Sequence, residues 1–502
     1  MTPASAVETV REAAERTGVT AVAEVVFGAL SMPILGYFLL INTSYLVLIG
    51  LAALEFGRHL RRSSFAGLED AASSPLTQPV SLLVPAFNEE AGIVPAVRAM
   101  LALRYPEHEV VLVDDGSSDG TFDRLCEAFD LVEVPRVVPD DVPVHGQVQS
   151  VHVPRDGRTP LVVARKENGG KGKTDALNVG INLARYPLIG IVDADSILDP
   201  DALLVVAKPF ADDPIRTVAT GGVIRAVNGC KVVAGRVVDV RMPREWLARI
   251  QVVEYLRAFL LGRTGWSRLQ SLLLISGAFG LFRRDVVVGV GGVPDSIGED
   301  FELVMRIHRS MREQGRDYRV VFVAEPVSWT EVPTTTAVLG RQRSRWHRGL
   351  WDVLWGHRRL ALNPRYGRVG MVGLPYFWLF ELLAPVIELT GLVLVPVGLL
   401  LGIVDLQYAL MFLLVAYGYA MFVTIAALCV EEFSFHRYSR WRDLLLALAA
   451  AVLENVGYRQ LTVWWRLKGL VAGLRGREAV WGVMPRTGFS DSAEDELARV
   501  RR

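Results

Sequence analysis

A chain of 502 residues is too long for one ordinary domain and has room for two or three units. Its 54 basic residues equal its 54 acidic ones, which excludes a general polyanion binder. Its three cysteines lack any C-x-x-C pair, which excludes a disulfide framework or zinc knuckle and fits a reducing compartment. Hydrophobic residues make up 51% and mean hydropathy is +0.30, high for a soluble protein, with the excess gathered near the N-terminus and beyond about residue 370.

Residues 1–57 read as an acidic, amphipathic stretch followed by an apolar run, Ile34–Phe56, whose only charge is Glu55. A bilayer takes roughly 20 apolar residues to cross, so this run is long enough. It has neither the basic leader nor the cleavage site of a signal peptide. Arg58, Arg61 and Arg62 follow, and the positive-inside rule then puts the next part of the chain in the cytoplasm.

Residues 78–350 alternate short β-rich runs with helical patterns, as in an α/β sheet. Val80–Val84, Val110–Val113 and Leu188–Val192 read as buried parallel strands, with helices expected over Glu90–Leu103 and Thr174–Ala184. Ligands of such sheets bind beyond the carboxyl ends of the strands, and all three ends are acidic. They read Pro85-Ala86-Phe87-Asn88-Glu89-Glu90, Asp114-Asp115-Gly116-Ser117-Ser118-Asp119-Gly120 and Asp193-Ala194-Asp195-Ser196. Any one of these could be a turn or a helix cap. Together they repel one another unless a cation or a hydrogen-bonded ligand holds them. A D-x-D at a strand end suits Mg²⁺ or Mn²⁺, which take oxygen ligands and keep waters and phosphates, whereas the eight histidines show no zinc spacing.

Between the second and third strands, Glu167-Asn168-Gly169-Gly170-Lys171-Gly172-Lys173-Thr174 offers glycines and lysines at a helix start, a diphosphate cradle or a plain loop. It lacks Walker A spacing. Further on, Gly298-Glu299-Asp300 precedes a helical pattern, where capping is the bland role. Gln342-Arg343-Ser344-Arg345-Trp346-His347-Arg348 crowds cations and an aromatic face into one and a half turns, which fits either a diphosphate and a sugar ring or a membrane surface.

The remaining chain, 351–470, is expected to hold an interfacial helix and membrane spans. Leu374–Val404 and Leu406–Val430 form a hairpin with an outer tip near Asp405, returning to Arg437, Arg440 and Arg442. Leu444–Trp465 carries Glu454 and Arg459, which are costly at mid-membrane unless paired, and a basic tail follows from Arg466 to Arg486. A re-entrant or interfacial helix with a cytoplasmic tail, 471–502, fits best.

In its ordered motifs the chain resembles the membrane-bound, often processive branch of family-2 glycosyltransferases, the synthases of cellulose, chitin, hyaluronan and poly-N-acetylglucosamine. The series is PAFNEE, VDDGSSDGT, GKGKTDALN, DAD, SGAFGLFRRD (Ser276–Asp285), GED and QRSRW, from about Val80 to Arg348. The resemblance implies an α/β GT-A nucleotide-sugar-binding domain inserted between transmembrane α-helices. It also implies a role for each matching residue. Asp114 would meet the uracil, and Glu89 would help hold the nucleoside. Lys173 would face the diphosphate, and Asp195 would ligate Mg²⁺ or Mn²⁺ with Asp193 close by. Asp300 would be the base, and Gln342, Arg345 and Trp346 would close the site. Direct displacement with one base implies inversion of the anomeric centre. Val132–Arg165 is longer than the compact connection expected there and reads as a surface hairpin or a contact for another protein.

The implied partners are a UDP-sugar (UDP-N-acetylglucosamine or UDP-glucose), a glycan or lipid acceptor, the bilayer, and export or accessory subunits, with no nucleic acid. The implied place is the inner or plasma membrane, multi-pass, with the catalytic domain cytoplasmic. Transfer to a growing β-linked polysaccharide leads, with single transfer to a lipid or short glycan as the alternative. A transporter subunit that only binds nucleotides would need just part of this constellation.

Overall fold

The computed structural model describes residues 19–61, 72, 74, 77–169, 172–233, 235–435 and 440–476. The expectations for residues 1–18, Arg62, Lys171, Arg437 and the tail from 477 onward lie outside them.

Twelve strands are found among the described residues, β1 (Val80–Ala86), β2 (His108–Asp114), β3 (Leu131–Glu133), β4 (Val148–Pro154), β5 (Leu161–Lys166), β6 (Leu188–Val192), β7 (Ile197–Leu198), β8 (Thr217–Ala226), β9 (Lys231–Val233), β10 (Arg236–Asp239), β11 (Phe279–Arg283) and β12 (Arg319–Thr330). Ten form one mixed sheet in the order β3-β4-β5-β2-β1-β6-β11-β8-β12-β7, and β9 pairs with β10. The three strands expected from sequence, β2, β1 and β6, lie side by side and parallel. Each is an almost continuous buried apolar run, as central parallel strands are. Helices Ile93–Leu101 and Lys173–Leu183 follow β1 and β5. The long Val132–Arg165 segment is more than a surface hairpin, because β4 and β5 pair with each other and β5 extends the sheet beside β2.

Among the described residues three helices are long and apolar enough to cross a membrane, Val22–Glu55, Leu406–Phe433 and Trp441–Leu474. Leu374–Val404, expected as one span, is bent, with Val369–Leu382 and Ala384–Leu400 meeting at 41°. Pro385 explains the bend. It has no N–H, and its ring would crowd the carbonyl of Glu381, four residues back. That carbonyl accepts from Arg466 Nη2 instead.

The Leu444–Trp465 region lies within Trp441–Leu474, a helix interrupted at Val456 and Gly457, where Gly457 takes φ 82°. Both of its limbs pack on the α/β domain. Asp443 Oδ1 accepts from Met242 N at 3.3 Å at one end. At the other, Gly469 lies so close to helix Thr336–Gly356 that a Cβ there would stand 2.2 Å from Ser344 O. The two charges that made this run awkward are both paired. Glu454 takes two hydrogen bonds from Arg257, at 2.7 and 3.1 Å, and Arg459 Nε donates to Glu388 Oε2 at 3.0 Å. Leu48, Ile49 and Ala52 of the first helix belong to the same buried cluster as the sheet, so this apolar helix and the α/β domain share one core.

Candidate active site

Strands β1 and β2 end level, with Ala86 opposite Asp114, and the loops beyond them are tied together. Ser118 N donates to Asn88 Oδ1 at 2.8 Å, and Glu89 N donates to Thr121 Oγ1 at 2.8 Å. Gly116 turns the chain after β2 at φ 72°, a conformation that suits glycine. Asp114 is fully buried. Its Oδ1 accepts from Ser117 N at 3.2 Å, while Oδ2 has no hydrogen bond and lies 3.8 Å from Arg165 Nε. Asp115 is also buried, but it lines the cavity that opens here. It is gripped by Lys166, a fully buried lysine whose Nζ also lies 3.0 Å from Asp175 Oδ2.

Beyond these strand ends opens a cavity of about 2020 Å³. Glu89, Lys173, Asp193, Asp195, Asp300, Gln342, Arg345 and Trp346 all line it, whereas Asp114 lies behind its wall and Asp115 stands in it. The cavity continues to the long apolar helices, where Tyr45, Leu48, Tyr376, Phe377, Glu381 and Arg466 are among its lining.

Lys173 opens helix Lys173–Leu183, and its Nζ sits 2.7 Å from Asp193 Oδ1 and 3.2 Å from Glu299 Oε1. Burial works against its charge, but the two carboxylates outweigh that and hold the ammonium well above the usual lysine range. Burial pushes the Glu299 carboxyl up, and the nearby Lys173 opposes that rise.

Asp300 stands in the first turn of helix Glu299–Glu313, but the cap position belongs to Gly298. Asp300 Oδ2 accepts from Gly277 N at 3.3 Å, and Oδ1 from Phe301 N at 2.8 Å. Gln342, Arg345 and Trp346 share helix Thr336–Gly356. Neighbouring Arg343 donates to both oxygens of Glu254, at 2.9 and 2.8 Å, and lies 4.8 Å from the centroid of the Trp346 ring. Gln342 Oε1 is buried without a hydrogen-bond partner.

The donor set fits a hard divalent cation. Asp193 and Asp195 present only oxygens to the cavity, and Asp193 already takes a cationic ammonium. No cluster of three or more His, Cys, Asp or Glu suited to a metal occurs among the described residues. Mg²⁺ and Mn²⁺ sites need none, since one or two carboxylates with substrate phosphates and waters suffice.

Sequence reasoning missed Asp115 as the wall residue, Glu299 as a partner of Lys173, and Arg263 in the same wall. The first was legible only as half of an Asp-Asp pair. The last sits in a segment with no recognised motif.

Residues 81–138 match the family model "Glycosyl transferase family 2", and residues 188–423 match "Glycosyl transferase family group 2". The chain belongs to glycosyltransferase family 2. Among named relatives, it is 28% identical over 278 residues to a poly-beta-1,6-N-acetyl-D-glucosamine synthase of Staphylococcus aureus, covering 55% of each protein. It is 27% identical over 277 residues to the probable glycosyltransferase YdaM of Bacillus subtilis, covering 54% of each. The match thus spans about half the length of these relatives. Looser likeness in solved structures includes the mannosyltransferase PcManGT of Pyrobaculum calidifontis in complex with GDP-Man and Mn²⁺. That likeness has 18% identity and a TM-score of 0.47, and covers 89% of this chain and 100% of that one.

Proposed function

We propose that this family-2 glycosyltransferase moves N-acetylglucosamine from its UDP donor onto a growing β-linked glycan, with inversion. What carries the reading is one cavity that joins the acidic strand ends, Asp300 and the basic-aromatic helix to the membrane helices. The named Staphylococcus aureus relative supports the choice of sugar.

The donor's nucleoside lies against Glu89 and the Asp114–Asp115 turn, and its diphosphate lies toward Lys173 and Arg345. Asp195, with Asp193 beside it, would hold Mg²⁺ or Mn²⁺, which would supply positive charge to offset that of the departing diphosphate. Asp300 accepts the proton of the acceptor hydroxyl as that oxygen bonds to the anomeric carbon. The bond from that carbon to the diphosphate breaks in the same step, and UDP leaves. Lys173 and Arg345 act on the charge that develops there. Gln342 and Trp346 close over the diphosphate and the acceptor sugar.

The α/β domain lies in the cytoplasm, on the side of Arg58, Arg61, Arg440 and Arg442. The two limbs of Trp441–Leu474 stay on that side too, a reading supported by the packing of both on the α/β domain.

Membranes bearing the protein, incubated with a panel of labelled UDP-sugars with and without Mn²⁺, test this reading. A ladder made from UDP-N-acetylglucosamine supports it. One discrete product would mean single transfer, and no product from any UDP-sugar would overturn the donor class.

A further inference from the structure

Arg263 closes the π-helical turn Leu256–Arg263 and stands in the cavity wall. Its guanidinium carbon lies 3.9 Å from the centroid of the Phe259 ring, which fixes its direction. Its Nη1 is buried and has no hydrogen-bond partner. It makes no ion pair among the described residues, unlike its neighbours Arg257 and Arg268, which pair with Glu454 and Glu55. Buried donors left unsatisfied are rare and call for a ligand or a functional reason. Burial pulls this guanidinium down to about 10, and Asp300 is foremost among the groups opposing that fall, so it stays charged at neutral pH.

Its partners in the cavity differ from those of Lys173. Lys173 sits with Asp193, just past the end of β6, and with Glu299 at the start of a helix. Arg263 makes no such pair among the described residues. The helix that follows it, Thr264–Arg268, is pressed on the first membrane helix, where a Cβ on Gly265 would stand 2.7 Å from Leu48 Cδ2. Tyr255 and Trp266 also line the cavity, each packed against a further aromatic ring. Asp300 thus lies within the electrostatic reach of two cations, Lys173 and Arg263.

We propose that Arg263 is an acceptor-binding residue, whose guanidinium, in no ion pair among the described residues, donates to an oxygen of the terminal acceptor sugar while Asp300 takes that sugar's hydroxyl proton. This rests on the transferase reading above. Held at two points, the acceptor presents one hydroxyl to the donor, so Arg263 also selects which hydroxyl reacts.

The full chain in lipid nanodiscs, with UDP-N-acetylglucosamine as donor and short β-linked N-acetylglucosamine oligosaccharides as acceptors, provides the test. Arg263→Met should raise the acceptor KM by about 10- to 100-fold, the loss expected for a charged hydrogen bond. The donor KM and UDP affinity should stay within about twofold. Arg263→Lys should recover part of the loss, and it carries the same test if the methionine variant does not fold. A fall in UDP affinity with an unchanged acceptor KM would make Arg263 a diphosphate contact and overturn the proposal. No change in either would do the same. A wild-type protein inert toward UDP-N-acetylglucosamine would instead contradict the donor assignment. Arg263 would then be judged by oligosaccharide quenching of tryptophan fluorescence, with weaker binding in Arg263→Met supporting the proposal and equal binding overturning it.

Discussion

Lys173 Nζ lies 2.7 Å from Asp193 Oδ1, so the cation seated on the D-x-D in this structure is a lysine side chain. Asp195→Ala should abolish turnover and weaken donor binding, and Lys173→Met should lower turnover while metal is still required. Activity assays with and without chelator check both. Full activity in excess chelator would refute the metal assignment.

Glu454 and Arg257 join the last long helix to the α/β domain through two hydrogen bonds, with side chains 10% and 24% exposed. Removing one partner of such a buried pair strands the other charge. Glu454→Ala should destabilise the protein by about 3 kcal/mol. Replacing both residues with methionine should recover much of that, and thermal unfolding in detergent reads the difference. Equal stability of the single variant and wild type would show that the pair contributes nothing.

Glu302 lies in helix Glu299–Glu313, accepting from Arg306 Nε at 2.9 Å and lying 3.0 Å from His357 Nε2. Burial raises its carboxyl, but these partners outweigh burial and leave it below its ordinary value of 4.5. A depressed acid stabilises the fold fully above the unfolded value and loses that contribution as pH falls through the folded one. The stability gap between wild type and Glu302→Gln should therefore be full at neutral pH and close as pH falls below the ordinary 4.5 and through the lower folded value. A gap that widens toward acid would contradict this.

Much of this was readable in the chain, for identifiable reasons. Central parallel strands are buried on both faces, so VSLLV and LIGIV announce themselves as apolar runs. The strands of the mixed half of the sheet do not. β8 contains Gly221 and Gly222, and β12 contains Pro326 with shifts in register, so neither shows a clean period. Asp114 and Asp115 show the limit at the site. Successive side chains of a strand point to opposite faces, so a pair of identical acids does not say which one meets the ligand. The structure buries Asp114 and puts Asp115 in the cavity wall. Glu454 and Arg459 looked costly because their partners, Arg257 and Glu388, lie far away in sequence.

Orientation can be read with a single introduced thiol. In a background lacking Cys126, Cys230 and Cys429, Arg475→Cys should react with an impermeant maleimide only after the cytoplasmic face is opened. Labelling from outside intact cells would mean that Trp441–Leu474 crosses the membrane.

Asp300→Asn, in the same sugar-transfer assay, goes to the centre of the account. Asparagine keeps the shape and can still accept the hydrogen bond from Gly277 N, but it cannot take a proton at neutral pH. Turnover should fall by roughly 10²–10⁴-fold, with UDP binding and membrane insertion near those of wild type. An Asp300→Asn protein that keeps most of its activity would place the base elsewhere, with Glu299 the first residue to substitute next.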